Sequence, residues 1–414
     1  MIESTIASRK KIYILPINLG INKFKDSYIE FRIPGIPGHF LDMSSLALEV
    51  GIELTEADSA IDSGKKVTVA NGLSQTLFKT VVVYFNEQVV ESNSLFSYWA
   101  YIKLLTTLSR SKIDGFKHQA HFYREEALTI PNKIDTQYFA TTTIDQDEKM
   151  ANMKEQGIYT CFKLLLDIAS ISEYLLDNVD VRIRLELNSD KWVIGSDTAT
   201  ANYKYNINMA RFWIDRLTPF PSGLLAINRA LAHNNGAVTY IFDKTLFKTY
   251  ILGQGQKSLT MDQPRGGVIP EKLYIAIIDM EAISGDYTLN PLYFNNSSLS
   301  NVYISVNGTS LFNIACDFPH KCSKLYYTVL NAVGFNVDNI LSYESFVKGQ
   351  TLLVFSLLPE EIKGRVSLEA TENLRITLEF NTAIVGNKVI LLFGPTTGVM
   401  KINADRRIIC ETRA

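Results

Sequence analysis

Residues 182–188 read RIRLELN and residues 375–381 read RITLEFN. Five of the seven positions are identical, and 193 positions separate the copies. In each, Ile, Leu and Leu or Phe fall on one face and charged or polar residues on the other, the period of two of a half-buried β-strand. Self-similarity at a fixed offset marks a duplicated unit. Flanking landmarks extend it. VVVYFNEQ from Val81 corresponds to VYISVNG from Val302, each a strand ending at an asparagine, Asn86 or Asn307. A helical pattern follows each. Residues 94–109 place Tyr98, Ile102, Leu105 and Leu108 on one face with Trp99 beside them, and Asn93 or Ser94 can cap the start. Residues 321–333 group Cys322, Tyr326, Val329 and Val333 before Gly334, a natural C-terminal stop. An apolar strand comes next, FKLLLDI from Phe162 or LLVFSLL from Leu352.

The first copy is the longer. Asn86 to Asn188 spans 102 positions, whereas Asn307 to Asn381 spans 74. Most of the surplus is expected in the polar stretch 135–156, as a projecting loop, because surfaces tolerate insertions. Outside the repeat, residues 30–33 alternate weakly before Pro34-Gly35 and Pro37-Gly38. LALEVGIEL, residues 46–54, puts Leu46, Leu48, Val50, Ile52 and Leu54 on one face of a strand. The unbroken apolar run VVVYF at 81–85 predicts a strand covered on both faces. A shorter helix is expected at 172–176.

Short, turn-bounded strands in two copies predict an all-β protein, two tandem eight-stranded jelly rolls (a double jelly roll) with a few short helices in loops. The expected division is an N-terminal arm over 1–24, a first jelly roll over 25–218 and a second over 219–414. The boundary lies at Thr218-Pro219-Phe220-Pro221-Ser222-Gly223, where two prolines disfavour continued pairing. A unit of this size buries about 70% of its unfolded surface, enough for its own core.

Composition narrows the function classes. The 414 residues are 46% hydrophobic and 20% charged, a foldable globular balance. Lys and Arg number 41 against 43 Asp and Glu, which excludes a chain that works mainly as a polycation on nucleic acid or an anionic membrane. Residues 1–11 lack the apolar core of a signal peptide, and no stretch approaches ~18 uninterrupted apolar residues. A soluble intracellular protein with no membrane-spanning segment is therefore expected, its sequons at Asn295, Asn296 and Asn307 unused. The four cysteines, Cys161, Cys316, Cys322 and Cys410, show no C-x-x-C spacing and are expected as reduced, buried thiols.

No catalytic constellation stands out. His118 and His121 form an H-x-x-H pair without the glutamate of a zincin or a third ligand, so histidines without metal are the ordinary reading. Cys316, His320 and Cys322 lie close in sequence, but C-x5-C is not a zinc spacing and Cys322 falls on an apolar helix face. Gly253-Gln254-Gly255 lacks a third glycine and a following helix, and reads as a turn rather than a dinucleotide loop. The acidic pairs Glu125-Glu126 and Glu360-Glu361 read as solvated surface. Arg9, Lys10 and Lys11 could touch a phosphate backbone weakly, although a solvated tail is the plainer reading. The expectation is no catalytic residue, no cofactor and no metal site, and function through surface complementarity.

At this point the landmarks become recognisable. PRGGVIPEKLYIAIIDMEAISGDYTLNPLYFNNSSLSNVYISVNG, from Pro264 to Gly308, resembles the second-module signature of the double jelly-roll major capsid proteins of Polinton (Maverick) elements and adintovirus-like viruses. Its elements are Gly267, Ile269, Pro270, a strand from Leu273 to Ile278, Asp279, Gly285, Asn290-Pro291, Phe294 and Val306-Asn307-Gly308. In the first module IPG…FLDMSSLALEVGIEL, NGLSQTLFKTVVVYFN and SYWAYIKLLTTL are similar to the family, as is the closing KVILLFGPTTGVMKINADRRI. The likeness covers about Phe31 to Ile409. Departures fall near Arg265-Gly266, usually an aromatic or leucine, and at Glu87, usually glycine.

The resemblance implies a homotrimer whose six jelly rolls form a pseudo-hexagonal capsomer. Capsomers would tile an icosahedral capsid around double-stranded DNA, with a penton or minor capsid protein as a further partner and weak contact with packaged DNA. It implies no enzyme activity and a place in the virion, assembled inside the host cell. The other readings are a carbohydrate-active or amidase-like enzyme on tandem jelly rolls, and a host-retained capsid descendant with a binding role.

Overall fold

The computed structural model describes residues 6–18, 28–57, 59–61, 65–123, 132–134, 157–233, 236–262, 269–334, 340–357 and 373–411. The stretch 135–156 and the acidic pairs Glu125-Glu126 and Glu360-Glu361 lie outside them. The first half of the chain carries β1 (Ile6–Ile14), β2 (Tyr28–Ile33), β3 (Phe40–Glu56), β4 (Ser59–Ala60), β5 (Val67–Val69), β6 (Phe78–Phe85), β7 (Gln88–Asn93), β8 (Ile158–Lys163), β9 (Val181–Leu187), β10 (Ile194–Ser196) and β11 (Tyr203–Pro219). The second half carries β12 (Ala237–Leu252), β13 (Ser258–Asp262), β14 (Lys272–Asp279), β15 (Leu299–Val306), β16 (Thr309–Ala315), β17 (Leu353–Ser356), β18 (Leu374–Phe380), β19 (Lys388–Asn403) and β20 (Ile408–Glu411).

Besides the short pair β10-β5 of the first half, each half builds two antiparallel sheets, and the orders of their main strands match. One pair of sheets runs β2-β9-β6-β7 and β13-β18-β15-β16. The other runs β1-β11-β3, with β8 also on β3, and β12-β19-β14-β17. Eight strands of the first module thus have counterparts in the second, with β4, β5 and β10 of the first and β20 of the second outside the correspondence, and the protein is a double jelly roll. The two sheets of a module face each other across an apolar core. Phe31 of β2 meets Phe212 of β11 edge-on at 5.1 Å, and Phe312 of β16 meets Phe355 of β17 at 5.1 Å.

The repeated heptads are β9 and β18, paired in equivalent register: Val83 faces Ile183, and Ile304 faces Ile376. The following hairpin is duplicated to the atom. Asn86 and Glu87 have φ of 43° and 71°, and Asn307 and Gly308 have 51° and 81°, the left-handed pair that a two-residue hairpin needs to follow the strand twist. Asn86 donates its N–H to the Asp180 carbonyl (2.9 Å), and its Oδ1 accepts the Asp180 N–H (2.8 Å). Asn307 does the same with Asn373, at 3.0 and 2.8 Å. Each asparagine therefore fixes the tip of β6 or β15 to the residue leading into β9 or β18.

The structure differs from sequence expectation at six places. VVVYF is not covered on both faces: Val81, Val83 and Phe85 are buried, while Tyr84 faces outward under the Arg182 guanidinium at 4.1 Å. Stacked arginine supplies the cover that an apolar run suggests. Residues 172–176 form no helix; Leu175 bridges to Leu41 instead. FKLLLDI leaves its strand at Lys163 and turns through a 3₁₀ segment, Ile168–Ser170. The stretch 218–223 does not stay a loop. Pro219 ends β11, and Pro221 is the first residue of a helix, Pro221–Ala232, the position where a missing N–H costs nothing. Within 1–24, Ile6–Ile14 pairs along β11 as a strand rather than hanging free. Finally, only Cys316 and Cys322 are buried; Cys161 is exposed and Cys410 half-exposed.

Candidate functional site: the module junction and its open counterparts

The residues that sequence singled out for chemistry do not converge. His118 is exposed on the helix Ile113–Ala120, while His121, beyond its end, is buried edge-on to Tyr123 at 5.0 Å. Cys316 and Cys322 are buried, and His320 between them is exposed. Among the described residues no three His, Cys, Asp or Glu side chains gather to hold a metal ion. Gly253–Gly255 is a turn between β12 and β13, in which the Gln256 side chain accepts the Gly253 N–H (2.8 Å) and Gly255 donates to the Ile384 carbonyl (2.9 Å). Arg9 is held at 2.7 Å from Asp215 and 2.9 Å from Asp42, and the Asp215 hydrogen bond raises its pKa further.

What the sequence does converge on is the junction between the modules. Its centre is the helix Phe96–Thr107, buried on nearly every side. Sequence alone showed one apolar face, and that face belongs to the first module: Trp192 Nε1 donates to the Tyr98 hydroxyl at 3.2 Å. The opposite face belongs to the second. Trp99 stacks on Phe393 of β19 (5.3 Å, 21°) and meets Tyr274 of β14 edge-on (5.2 Å). Tyr101 packs on Phe294 at 5.9 Å and accepts a hydrogen bond from Gln350 Nε2 at 3.3 Å. A helix apolar all round must be covered all round, which the second module accomplishes. The same contact explains LYIAII of β14, buried on both faces.

The signature residues cluster here too. Gly285, at φ 94°, lies so close to the first module that a Cβ would come within 3.1 Å of the Trp192 nitrogen. Tyr287 donates its hydroxyl to the Tyr203 carbonyl (2.7 Å), and its own carbonyl accepts the Ser196 N–H (2.7 Å). Asn290 donates its N–H to the Asn132 carbonyl (2.9 Å), and Asn132 Nδ2 donates to Asp279, which Lys388 also pairs. A cavity of about 20 Å³ beside Asn71, Trp192 and Pro291 has room for a single water.

A polar network closes the other side. Asp243 and Thr245 turn their N–H groups outward along the edge of β12. The Ser170 hydroxyl and the Asp167 carboxylate accept them, both at 2.7 Å. Residues of the first module thus cap a strand edge of the second that would otherwise be open to foreign strands. Asp167 also holds Lys103 at 2.9 Å. Beneath it, the fully buried Glu91 carboxyl accepts the N–H groups of Asp167 (3.0 Å) and Ile168 (2.9 Å). Burial and the neighbouring Asp167 charge push Glu91 up to about 8. Arg406 reaches back to the carbonyl and carboxylate of Asp177, and Asn86 Nδ2 donates to the Arg406 carbonyl at 3.0 Å.

Two further faces carry aromatic side chains in solvent. On the outer side of β1-β11-β3-β8, Tyr13 lies 5.4 Å from Trp213, with the Arg211 guanidinium 5.7 Å from its ring. Trp213 Nε1 donates to Glu49 at 2.9 Å, and Tyr159 donates its hydroxyl to the same carboxylate. Tyr13 is 55% exposed and Tyr159 56%. On the helix Ser323–Val333, Leu325, Val329 and Ala332 are buried, and Tyr327 is 60% exposed.

No family model and no curated protein matches the sequence. Solved structures do match the fold. A cryo-electron microscopy structure of the Sputnik virophage aligns at 12% identity with a TM-score of 0.63, over 99% of this chain and 89% of that one. The mavirus major capsid protein aligns at 11% identity and 0.57, over 97% and 90%. The PBCV-1 virus capsid model aligns at 10% identity and 0.57, over 98% and 97%. At such identities the likeness is one of architecture, and it extends over both modules and nearly the whole of each chain. The protein is a double jelly roll with the fold of the viral major capsid proteins.

Proposed function

We propose that the chain is a major capsid protein of the Polinton (Maverick) and adintovirus-like kind. Three copies join into a pseudo-hexagonal capsomer, and capsomers build an icosahedral shell around double-stranded DNA. In this reading residues 25–218 and 219–414 are the two building units, and residues 1–24 lead into the first and lend it β1. The role is structural rather than catalytic, exercised in the virion after assembly inside the host cell. A penton or minor capsid protein would close the vertices.

The observation that carries the reading is the fold match over both modules together, at nearly full length on either side. The junction supports it. Two modules locked by stacked aromatics and a capped strand edge make one stiff brick, suited to tiling. A charge balance of 41 to 43 lets like subunits pack without strong self-repulsion. Of the basic cluster, Arg9 is committed to Asp42 and Asp215, so contact with packaged DNA would rest on few charges and weaken with salt. The test is electron microscopy of the purified recombinant chain. Hexagonal outlines or closed shells are expected; dispersed single chains with a ligand-binding groove would refute the capsid role.

A further inference from the structure

Lysine is rarely buried unless its charge is met, and Lys388, at the head of β19, is only 6% exposed. It sits opposite Asp279, the last residue of β14, and its ammonium bonds one oxygen of that carboxylate. The other oxygen accepts a hydrogen bond from Asn132 Nδ2 at 2.8 Å. Asn132 is held in place by its backbone. Its carbonyl accepts the Asn290 N–H (2.9 Å), Lys133 bridges to Leu289, and Ile134 donates to the Thr288 carbonyl (2.7 Å). The Met280 N–H, donating to the Asn387 carbonyl at 3.1 Å, fixes the adjoining ends of β14 and β19. A carboxylate only accepts, so the Asn132 amide must turn its NH2 toward Asp279. Its Oδ1 is buried and has no hydrogen-bond partner among the described residues. Tyr293 stands close enough for the Asp279 charge to add to burial in raising its phenol pKa. An amine, a carboxamide and a carboxylate between them are thus gathered in one largely buried group, with the amine and the amide on neighbouring oxygens.

We propose that Lys388 and Asn132 condense into a side-chain amide, Nζ to Cγ, with Asp279 as the acid–base group. Asp279 first takes a proton from the Lys388 ammonium, across the hydrogen bond already formed. The freed amine pair attacks Asn132 Cγ, so that the Nζ–Cγ bond forms and the carbonyl electrons move onto Oδ1. Asp279 then relays protons from Nζ to Nδ2, the atom it already contacts. The Cγ–Nδ2 bond breaks as the carbonyl reforms, and Nδ2 leaves as ammonium. Both protons it gains come from the lysine, and Asp279 ends as the carboxylate it was. Nothing is oxidised or reduced, and the reaction runs once, on the chain itself. The product ties the stretch between the helix Ile113–Ala120 and β8 to the first residue of β19, making permanent a hold between the modules. The inference stands apart from the capsid reading.

The test is the intact mass of the full-length recombinant chain under denaturing conditions, fresh and after prolonged incubation at neutral pH, followed by tryptic peptide mapping. The expected result is a wild-type chain lighter than its sequence by one ammonia, with the Asn132 peptide joined to the Lys388 peptide and no cleavage after Lys388. Lys388→Arg keeps the positive charge without the amine and should hold its full mass, as should Asp279→Ala. Asn132→Asp should lose one water instead, since the same bond then forms from a carboxyl group. A wild-type chain at full mass after incubation, cleaved normally at Lys388, would overturn the proposal and leave an ion pair beside a hydrogen-bonded amide. Loss of ammonia without a joined peptide would overturn it equally. A joined peptide in Asp279→Ala would overturn the role given to Asp279. The mass of a denatured chain does not depend on assembly, so the outcome is separate from that of the capsid reading.

Discussion

Truncating Trp99 to alanine should uncouple the two modules. The indole is 3% exposed, stacked on Phe393 and edge-on to Tyr274, with the Lys103 ammonium 5.2 Å from its ring. A buried tryptophan removes about 200 Å² from water, which at ~25 cal/mol per Å² is worth about 5 kcal/mol as an upper figure. The aromatic pairs add ~1 kcal/mol each. Against this, the indole N–H is buried with no hydrogen-bond partner, so its removal relieves about 1–2 kcal/mol of desolvation. These come to about 5–6 kcal/mol as an upper figure, and a net loss of about 4–5 kcal/mol is expected, the upper end of the range for large-to-small core substitutions. The assay is denaturant unfolding at one fixed protein concentration, because assembly shifts apparent stability. The wild type should unfold in one cooperative transition that splits in the variant, as each module keeps its own core but loses its hold on the other. Trp99→Phe keeps the ring and should lose under ~2 kcal/mol. A loss below ~1 kcal/mol for the alanine variant, with one intact transition, would show that the helix does not couple the modules.

Other outcomes follow from the same contacts. Glu87→Gly should stabilise the first module by about 0.5–1 kcal/mol, since Glu87 holds a left-handed conformation that its counterpart Gly308 adopts freely; thermal melts decide it. Asn307→Ala should cost about 1–2 kcal/mol by leaving the Asn373 N–H without its side-chain acceptor and placing alanine at positive φ, again read by thermal melts. Glu91 binds its proton more tightly folded than unfolded, so stability should fall as pH rises from about 4.5 to about 8 and level off above; Glu91→Ala should remove that slope in pH-dependent unfolding. A small thiol reagent should modify Cys161 on the native protein and reach Cys316 and Cys322 only on unfolding, since burial hides both and raises their pKa; peptide mapping checks the order.

Much of this architecture is legible in the sequence, and the reason is periodicity. RIRLELN and RITLEFN lie in sheets with one buried face, so alternation survives in the letters, and the strands they predict are β9 and β18. Asn86 and Asn307 were legible as strand ends because a two-residue hairpin restricts its residues tightly. What escaped is whatever depends on a partner outside the local window. Tyr84 reads as apolar filling until Arg182, on a neighbouring strand, is placed over its ring. The helix Phe96–Thr107 shows the stripe facing its own module, but nothing nearby announces that Trp99 meets Phe393, almost three hundred positions away. Asp167 looks like the end of an apolar strand, and only the fold brings it to the edge of β12. The junction is not legible as a site from sequence: Pro291, Phe294 and Gly285 read as turn and strand markers, and their shared purpose is visible only across the two modules.

The central claim is that one chain supplies two like bricks to a shell built from many copies. A cryo-electron microscopy reconstruction of the purified assembly tests it most directly. The account predicts six β-modules around a threefold axis, two from each chain. A twofold dimer, or chains that stay single, would contradict it.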